Sequence, residues 1–304
     1  MRNGMVFGIS RCALGLAVSL LLCFGVRECT LVYGTVAAGA PTGEGPWVLA
    51  WSDEFNQPDG SPPDSKKWNY DEGVGSNGWG NNELEYYTSR PQNISIQNGN
   101  LVITAIQERY ADSAAVTRSF TSARIKTKEL FAQEYGRFEA RIKIPDGTGL
   151  WPAFWMLGDN IKLAGWPACG EIDVMENVGK QASTVHGTIH GPGYSAAAGI
   201  SSAYDLPSGR RFADNFHLFA VEWEPNAIRF YVDNDLYATR TPADLPSGTK
   251  WVYDHPFFIL LNLAVGGNWP GSPDATTSFP SAMLVDYVRV YQRSNAPSAS
   301  DSHF

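Results

Sequence analysis

Hydrophobic and polar residues alternate with a period of two along most of the chain. In Arg137–Ile144, apolar side chains alternate with charged ones, which is typical of a strand with one buried face. Turn sequences such as Asn98-Gly99 separate such segments, and no stretch has a helical stripe. Many strands, frequent turns and one large core predict an all-β domain of two packed antiparallel sheets. Further predicted strands are Leu101–Ile106, Phe216–Trp223, Ile228–Asp233, Phe257–Ala264 and Leu284–Gln292.

The first forty residues have the pattern of a secretory signal peptide. Arg2 and Arg11 flank an uncharged apolar run, Ala13–Val26, and small residues lead to Ala40. A membrane anchor is the alternative, but a run of about fourteen residues is shorter than the ~20 of a spanning helix. We therefore expect cleavage near Ala40 and a secreted protein with no membrane span in its mature form. The predicted organisation is a signal peptide at 1–40, a linker at 41–46, a catalytic domain at 47–293 and a polar tail at 294–304.

Composition narrows the classes of function. The chain has 304 residues, 43% hydrophobic, which suffices for one large core, and all-β domains commonly reach this length without splitting. A net charge of −8 argues against a nucleic-acid partner. Of the four cysteines, only Cys169 lies beyond the predicted signal, so the mature chain has no partner for an intrachain disulfide. We expect Cys169 to be a small buried residue, because no His-Asn/Asp set is tied to it.

Three acids fall within six residues in Gly170–Glu176. Glu171 and Asp173 are two positions apart and share a strand face. Glu176 is five positions from Glu171, so a regular strand would turn it into the core, where an unpaired carboxylate is very costly. One extra residue in the strand restores the parity. We therefore predict a β-bulge at Val174–Met175 that brings all three acids onto one face.

Such an arrangement suits retaining glycoside hydrolysis, which needs two carboxyl groups ~5–5.5 Å apart. With the bulge, the Cα atoms of Glu171 and Glu176 would lie about 13 Å apart at ~3.3 Å per residue. Two side chains that lean together over Asp173 could close that gap. Repulsion among the acids raises at least one pKa and keeps a proton available near neutrality. A solvated acidic strand face and a calcium site are the alternatives that the residues leave open.

Tryptophans precede and follow the acid segment. Trp151 and Trp155 have even spacing and would share a strand face, and Trp166 follows them. Flat rings can stack on sugar rings, although core packing is an equal alternative for any one of them. Trp79 and Trp269 lie in Gly- and Asn-rich segments, where a tryptophan more often lines a site.

Two histidines follow the acids at a spacing of four. His186 and His190 would share a strand face. A metal pair, a contact to the sugar or leaving group, and a structural role are all open, because no third ligand follows at a usual spacing.

At this point the residues resemble a known family. The segments Gly149–Leu157 and Trp166–Glu176 look like glycoside hydrolase family 16, and more narrowly its bacterial laminarinase-type endo-β-1,3-glucanases. The resemblance implies a concanavalin-like jelly-roll sandwich with a substrate cleft across the concave sheet. Other matching segments, which extend the resemblance over about residues 47–292, are Trp51–Phe55, Gly80–Glu83, Val185–His190, Asn262–Gly267 and Asp286–Tyr291.

The resemblance also implies roles for individual residues. It makes Glu171 the nucleophile, Asp173 a helper and Glu176 the general acid/base. Met175 matches the extra residue that β-1,3-specific members carry and lichenase-type members lack. Glu85 departs from the glutamine that relatives often have, which leaves the glycone-side preference open. The implied substrate contacts are Trp151, Trp155, Trp166, Asn81, Arg124, His190 and Trp269, and a structural calcium is implied at Glu54, Gly99 and Asp286.

The expected function is retaining, endo-acting hydrolysis of β-1,3-glucan by a monomer that needs no cofactor for catalysis. Rival functions are a non-catalytic glucan-binding protein, a β-1,3-1,4-glucanase or transglycosylase of the same fold, and a hydrolase of sulfated or galactose-based polysaccharides. The intact acids argue against the first. The last needs a basic pocket, and no Arg/Lys cluster flanks the acid motif in the sequence.

Overall fold

The computed structural model describes residues 45–294. The predicted signal peptide, residues 41–44 of the predicted linker and residues 295–304 of the predicted tail lie outside the described residues, so these predictions stay predictions. The strands are β1 (Trp47–Asp53), β2 (Asn69–Asp71), β3 (Glu85–Tyr87), β4 (Ile94–Gln97), β5 (Asn100–Ala111), β6 (Thr117–Ser122), β7 (Arg124–Lys126), β8 (Gly136–Lys143), β9 (Leu150–Gly158), β10 (Glu171–Glu176), β11 (Thr184–His190), β12 (Ile200–Asp205), β13 (His217–Glu224), β14 (Ala227–Val232), β15 (Asp235–Arg240), β16 (Phe257–Val265) and β17 (Ser281–Arg293).

The strands form two sheets. The ten-stranded sheet has the order β15-β14-β13-β8-β17-β5-β6-β3, with β1 beside β17 and β4 beside β5. The seven-stranded sheet has the order β12-β11-β10-β9-β16-β7-β2. Within the described residues, strand neighbours are antiparallel except for β3 and β6. This architecture confirms the predicted all-β jelly-roll sandwich of two antiparallel sheets.

The main core lies between the two sheets. In β8, Phe138, Ala140 and Ile142 are fully buried, whereas Arg137, Arg141 and Lys143 on the other face are partly exposed, as the period-two pattern predicts. Glu139 on that face is 6% exposed and pairs with Arg137. Each fully buried Phe, Leu or Ile contributes about 1.5–3 kcal/mol of transfer free energy. The predicted strands all form, with ends that shift by a residue or more; β5 extends to Ala111.

Strand β16 is buried on both faces. Alternate residues of Phe257–Val265 join the main core. On the outer face of the seven-stranded sheet, which points away from the other sheet, Phe258 and Leu260 pack with Leu157 and Cys169 in a second cluster. This cluster covers part of the outer face next to the acid segment.

Helical structure is short in the described residues. The α-helix α1 (Ile161–Ala164) is a single turn between β9 and β10. Among the residues described, no helix is both long and apolar enough to span a bilayer.

Candidate active site

The acid segment forms β10, and this strand contains a β-bulge. Against β9, Asp173 pairs with Trp155 and Met175 pairs with Phe154, so Val174 is an extra residue. The register against β11 shifts over the same residues. The bulge that the parity of the acids predicted at Val174–Met175 is therefore confirmed.

Burial shows how the bulge sorts the side chains. Val174 and Met175 are 1% and 0% exposed and belong to the main core. Glu171 and Glu176 are partly exposed on the outer face, and Asp173 lies between them at 3% exposure. Since the bulge places two consecutive apolar residues in the core, all three acids face the same way.

Each of the two outer acids receives a hydrogen bond from a tryptophan indole. Trp166 Nε1 donates to Glu171 Oε2 over 2.7 Å. Trp151 Nε1 donates to Glu176 Oε1 over 3.0 Å. The indoles orient the two carboxyl groups and expose aromatic rings beside them; Trp166 is 47% exposed.

A histidine joins the acids from the neighbouring strand β11. His190 pairs with Glu171 in the register, and its Nε2 lies 3.0 Å from Asp173 Oδ2 and 3.7 Å from Glu171 Oε1. His186 pairs with Glu176 and hence shares this face, as the spacing predicted. Its ring packs edge-on against Trp269 at 5.0 Å between centroids.

Burial raises the pKa of each of the three acids. Burial, followed by the charge of Asp173, raises the pKa of Glu171 to about 8. Burial raises the pKa of Asp173 to about 7, although a hydrogen bond with Glu171 acts to lower it. Burial and then the charges of Asp173 and Glu171 raise the pKa of Glu176 well above its ordinary value. The site thus offers one acid that keeps its proton beside one that can ionise, which is what acid/base chemistry on a sugar needs.

Beyond β9, the outer face carries aromatic rings and the guanidinium group of Arg124. Arg124 of β7 lies between two rings, 4.6 Å from the Trp79 centroid and 4.8 Å from that of Trp155. Asp71 of β2 pairs with Arg124 at 3.0 Å. Next to Glu176, Trp151 contacts Trp269 edge-on at 5.6 Å between centroids.

A buried hydrogen-bond network supports these rings. Trp155 Nε1 donates to Asn262 Oδ1 over 2.7 Å, and Asn262 Nδ2 donates to the Tyr87 hydroxyl over 3.3 Å. The Tyr87 hydroxyl in turn donates to Glu83 Oε2 over 3.1 Å. Asn81 Nδ2 lies 3.5 Å from the other oxygen of Glu83. The sequence predicted Trp155 and Asn81 as site residues, but not Asn262, Tyr87 and Glu83 as the partners that join them.

Glu85, the departure noted in the sequence, is fully buried behind this network. Its Oε2 accepts a hydrogen bond from the Val265 amide over 2.7 Å, whereas its Oε1 finds no partner within the described residues. Burial and then the charge of Glu83 raise the pKa of Glu85 well above its ordinary value. This carboxyl is therefore held as a neutral acid.

Comparison with known proteins decides the family. The model of glycosyl hydrolases family 16 matches residues 81–289, which include the three acids. The chain belongs to glycosyl hydrolase family 16.

Solved and curated members of family 16 are similar over most of the chain. The endo-β-1,3-glucanase structure from Pyrococcus furiosus is 49% identical, covers 82% of this chain and 96% of its own, and gives a TM-score of 0.78. A β-glucanase from Rhodothermus marinus is 42% identical over 81% of this chain and 85% of its own length. A keratan-sulfate endo-1,4-β-galactosidase from Sphingobacterium multivorum is 37% identical over 81% of this chain and 55% of its own length.

The structure brings most of the predicted site residues together on the outer face. Those at the acids or on rings beside them are Glu171, Asp173, Glu176, Trp151, Trp155, Trp166, Arg124, His190 and Trp269. Asn81 lies near Trp269's loop, because its backbone carbonyl accepts from the Asn268 amide. Cys169 is buried, and burial raises the pKa of its thiol to about 11, in keeping with a non-catalytic residue.

The predicted calcium residues lie away from the acids and already have partners. Both carboxylate oxygens of Glu54 accept hydrogen bonds from Arg289, and Asp286 pairs with Arg141 at 2.6 Å. Gly99 lies in the turn between β4 and β5 with φ +71°. Coordination of calcium by these two carboxylates would therefore require their release from the two guanidinium groups.

A different group has the spacing of metal ligands. One ligand atom each from Glu171, Asp173 and His190 lie within 4.8 Å of one another. The hydrogen bonds and raised pKa values of these carboxyl groups are explained by the acid/base site itself.

Proposed function

We propose that this chain is a retaining, endo-acting hydrolase of β-1,3-glucan, with laminarin-like polymers as its substrate. The observation that carries the proposal is the bulged strand, which places Glu171 and Glu176 on one face with Asp173 between them. Family membership and the named activity of the Pyrococcus furiosus relative give the substrate class.

The first step is attack on the anomeric carbon. Ionised Glu171 forms a bond to C1 of the glucosyl unit while the bond from C1 to the bridging oxygen breaks. Glu176 transfers its proton to that oxygen, which leaves with the rest of the chain. The high pKa of Glu176, caused mainly by burial, keeps this proton in place until it is needed.

The second step releases the sugar. Glu176, now ionised, takes a proton from water, and the water oxygen attacks C1 and displaces Glu171. Two inversions give net retention. Asp173, with a pKa of about 7, is placed to hold a proton shared with Glu171 as the charge on that nucleophile appears and disappears.

Aromatic side chains hold the polymer across the acids. Trp166 and Trp151 each use the indole N–H on an acid, so their rings remain available to stack on sugar faces. Trp155 pairs with Asp173 in the register and Trp269 contacts Trp151, so both rings extend this aromatic surface.

A panel of laminarin, curdlan, lichenan and agarose with product sizing tests the proposal. We expect laminarin to be cut fastest into mixed oligosaccharides, with loss of activity in Glu171→Gln. The matched control is Glu224→Gln, which removes a carboxylate that pairs with Arg229 on the other sheet. Binding of laminarin without turnover would instead identify a glucan-binding protein, and longer products would identify a transglycosylase.

Secretion, a monomeric state and a structural calcium complete the proposal. The signal-like pattern before Ala40 supports export, which N-terminal sequencing of the exported protein would test. Light scattering in solution tests the monomer. Calcium binding at Glu54, Gly99 and Asp286 requires displacement of two arginine partners, so unchanged thermal unfolding on chelation would remove it from the proposal.

A further inference from the structure

A pocket lies at the β2 edge of the seven-stranded sheet, beyond Arg124. It has a volume of about 330 Å³. Its lining consists of Asn69, Tyr70, Lys126, Lys128, Glu129 and Lys162. Three lysines around one pocket stand out in a chain whose net charge is −8.

The pocket is on the same face as the acids. Lys126 and Arg124 alternate with the fully buried Ile125, so both point to the outer face. A single row of paired residues runs across the sheet from Asp173 through Trp155 and Leu260 to Lys126 and then Asn69. With neighbouring strands about 4.8 Å apart, Lys126 lies about 14 Å across the sheet from Asp173.

Neighbouring acids pair with two of the three lysines of the pocket. Asp71 pairs with both Arg124 and Lys126, and Glu129 pairs with Lys162. Within the described chain, Lys128 has no carboxylate partner, and its Nζ lies 5.3 Å from the Phe258 ring centroid. Asp159 also acts on Lys162 through its charge, so Lys128 is the one lysine of the pocket that no carboxylate pairs with among the described residues.

We propose that this pocket binds an anionic substituent, a carboxylate or a sulfate ester, carried by a sugar unit of the glucan several positions from the bond that is cut. The inference rests on the proposed function, because it requires the polymer to lie along the row from the acids. No Arg/Lys cluster flanks the acid motif in the sequence, and the lysines of this pocket lie elsewhere along the chain. Lys126 lies on β7, Lys128 in the loop after it and Lys162 on α1, so the three lysines meet only in the folded chain.

Lysine suits this role because its ammonium group acts as a point charge with rotatable donors. The pocket is open and polar, so binding of an anionic group would raise the affinity for a glucan that carries such groups without excluding a neutral glucan. The overall negative charge of the protein repels polyanions at long range, and any preference for a charged polymer must therefore come from local contacts.

The test compares the kcat/KM ratio of charged to neutral laminarin at constant ionic strength. The substrates are neutral laminarin, laminarin with some 6-hydroxyl groups oxidised to carboxylates, and laminarin with sulfate esters at similar density. A fourth arm adds free inorganic sulfate to neutral laminarin. Turnover of neutral laminarin by the wild type tests the proposed function separately from the pocket.

We expect at least one charged laminarin to give a ratio above one that declines with added salt. The ratio should fall by about threefold for each lysine removed in Lys128→Gln and Lys162→Gln, since exposed ion pairs are individually weak. Lys128→Arg should retain it. Free sulfate should not raise the turnover of neutral laminarin.

Lys143→Gln is the matched control, because Lys143 lies on β8 of the other sheet and its loss changes the net charge equally. The proposal is overturned if the wild-type ratio is at or below one for both charged polymers. A fall of equal size in Lys143→Gln would also overturn it, because the preference would then follow net charge. Thermal unfolding of each variant confirms that the fold is retained in the comparison.

Discussion

Replacing Trp166 by phenylalanine removes a hydrogen bond to Glu171 and keeps an aromatic face for the sugar. A hydrogen bond to a charged group contributes about 1.5–3 kcal/mol when it is shielded from water. Trp166 is 47% exposed, so water would compensate for part of the lost hydrogen bond, and the lower end of this energy range applies. About 1.4 kcal/mol corresponds to about one pKa unit. The pKa of Glu171, now raised to about 8, should therefore rise further by about one unit in Trp166→Phe.

The sign of the effect on activity follows from the role of Glu171, which attacks only when ionised. A higher pKa lowers kcat/KM on the acid side by about tenfold and leaves the alkaline side close to wild type. The assay is kcat/KM on laminarin as a function of pH. Trp251→Phe is the control, because its indole N–H finds no hydrogen-bond partner among the described residues. An equal loss at every pH would refute the reasoning and show that Trp166 acts through stacking alone.

Three further predictions follow from burial and charge. In Glu176→Gln, the amide has no proton to give to the leaving oxygen, so kcat on laminarin should fall by about 10²–10⁴-fold, and by less on an aryl glycoside with a good leaving group; equal losses on both would contradict this role. Glu85 is protonated in the fold but ionises in the unfolded chain above its ordinary pKa of 4.5, so stability is lost as the pH rises past that value. The free energy of unfolding in urea, measured for Glu85→Gln relative to wild type, should increase by about 1–3 kcal/mol from mildly acidic to mildly alkaline pH. A difference that stays the same at every pH would contradict a buried neutral acid. Phe154→Ala should lower the free energy of unfolding by about 3–5 kcal/mol, because Phe154 is fully buried between the sheets, whereas Leu163→Ala, at 94% exposure, should change it by less than about 0.5 kcal/mol.

The strands and the bulge were predictable because odd and even positions of a strand lie on opposite faces, and only one of those faces is usually buried. Apolar residues at every second position can face only one core, which located β8 and the other long strands. Glu176 stood at an odd distance from Glu171, and a carboxylate inside the core would have been too costly. Only a bulge resolved that conflict, and the register shows one.

The supporting contacts were not predictable, because they join residues that are distant in sequence. Asn262 accepts a hydrogen bond from the Trp155 indole N–H, 107 positions away. In the sequence it stood out only as a polar residue within the apolar strand β16 and as part of the matching segment Asn262–Gly267, neither of which indicates this partner. The lysine pocket likewise depends on how β7 and the loops around it approach α1. Pairing of strands sets these contacts, and the periodicity of a single strand carries no information about its neighbours.

The central claim is that Glu171 and Glu176 act from one face of the bulged strand, with Glu171 as nucleophile. Trapping with a 2-fluoro laminarioligosaccharide that has a good leaving group, followed by peptide mass spectrometry, tests it most directly. We expect a single covalent sugar on Glu171. A label on Glu176 or on another residue, or complete turnover to a product of inverted configuration with no label, would contradict it.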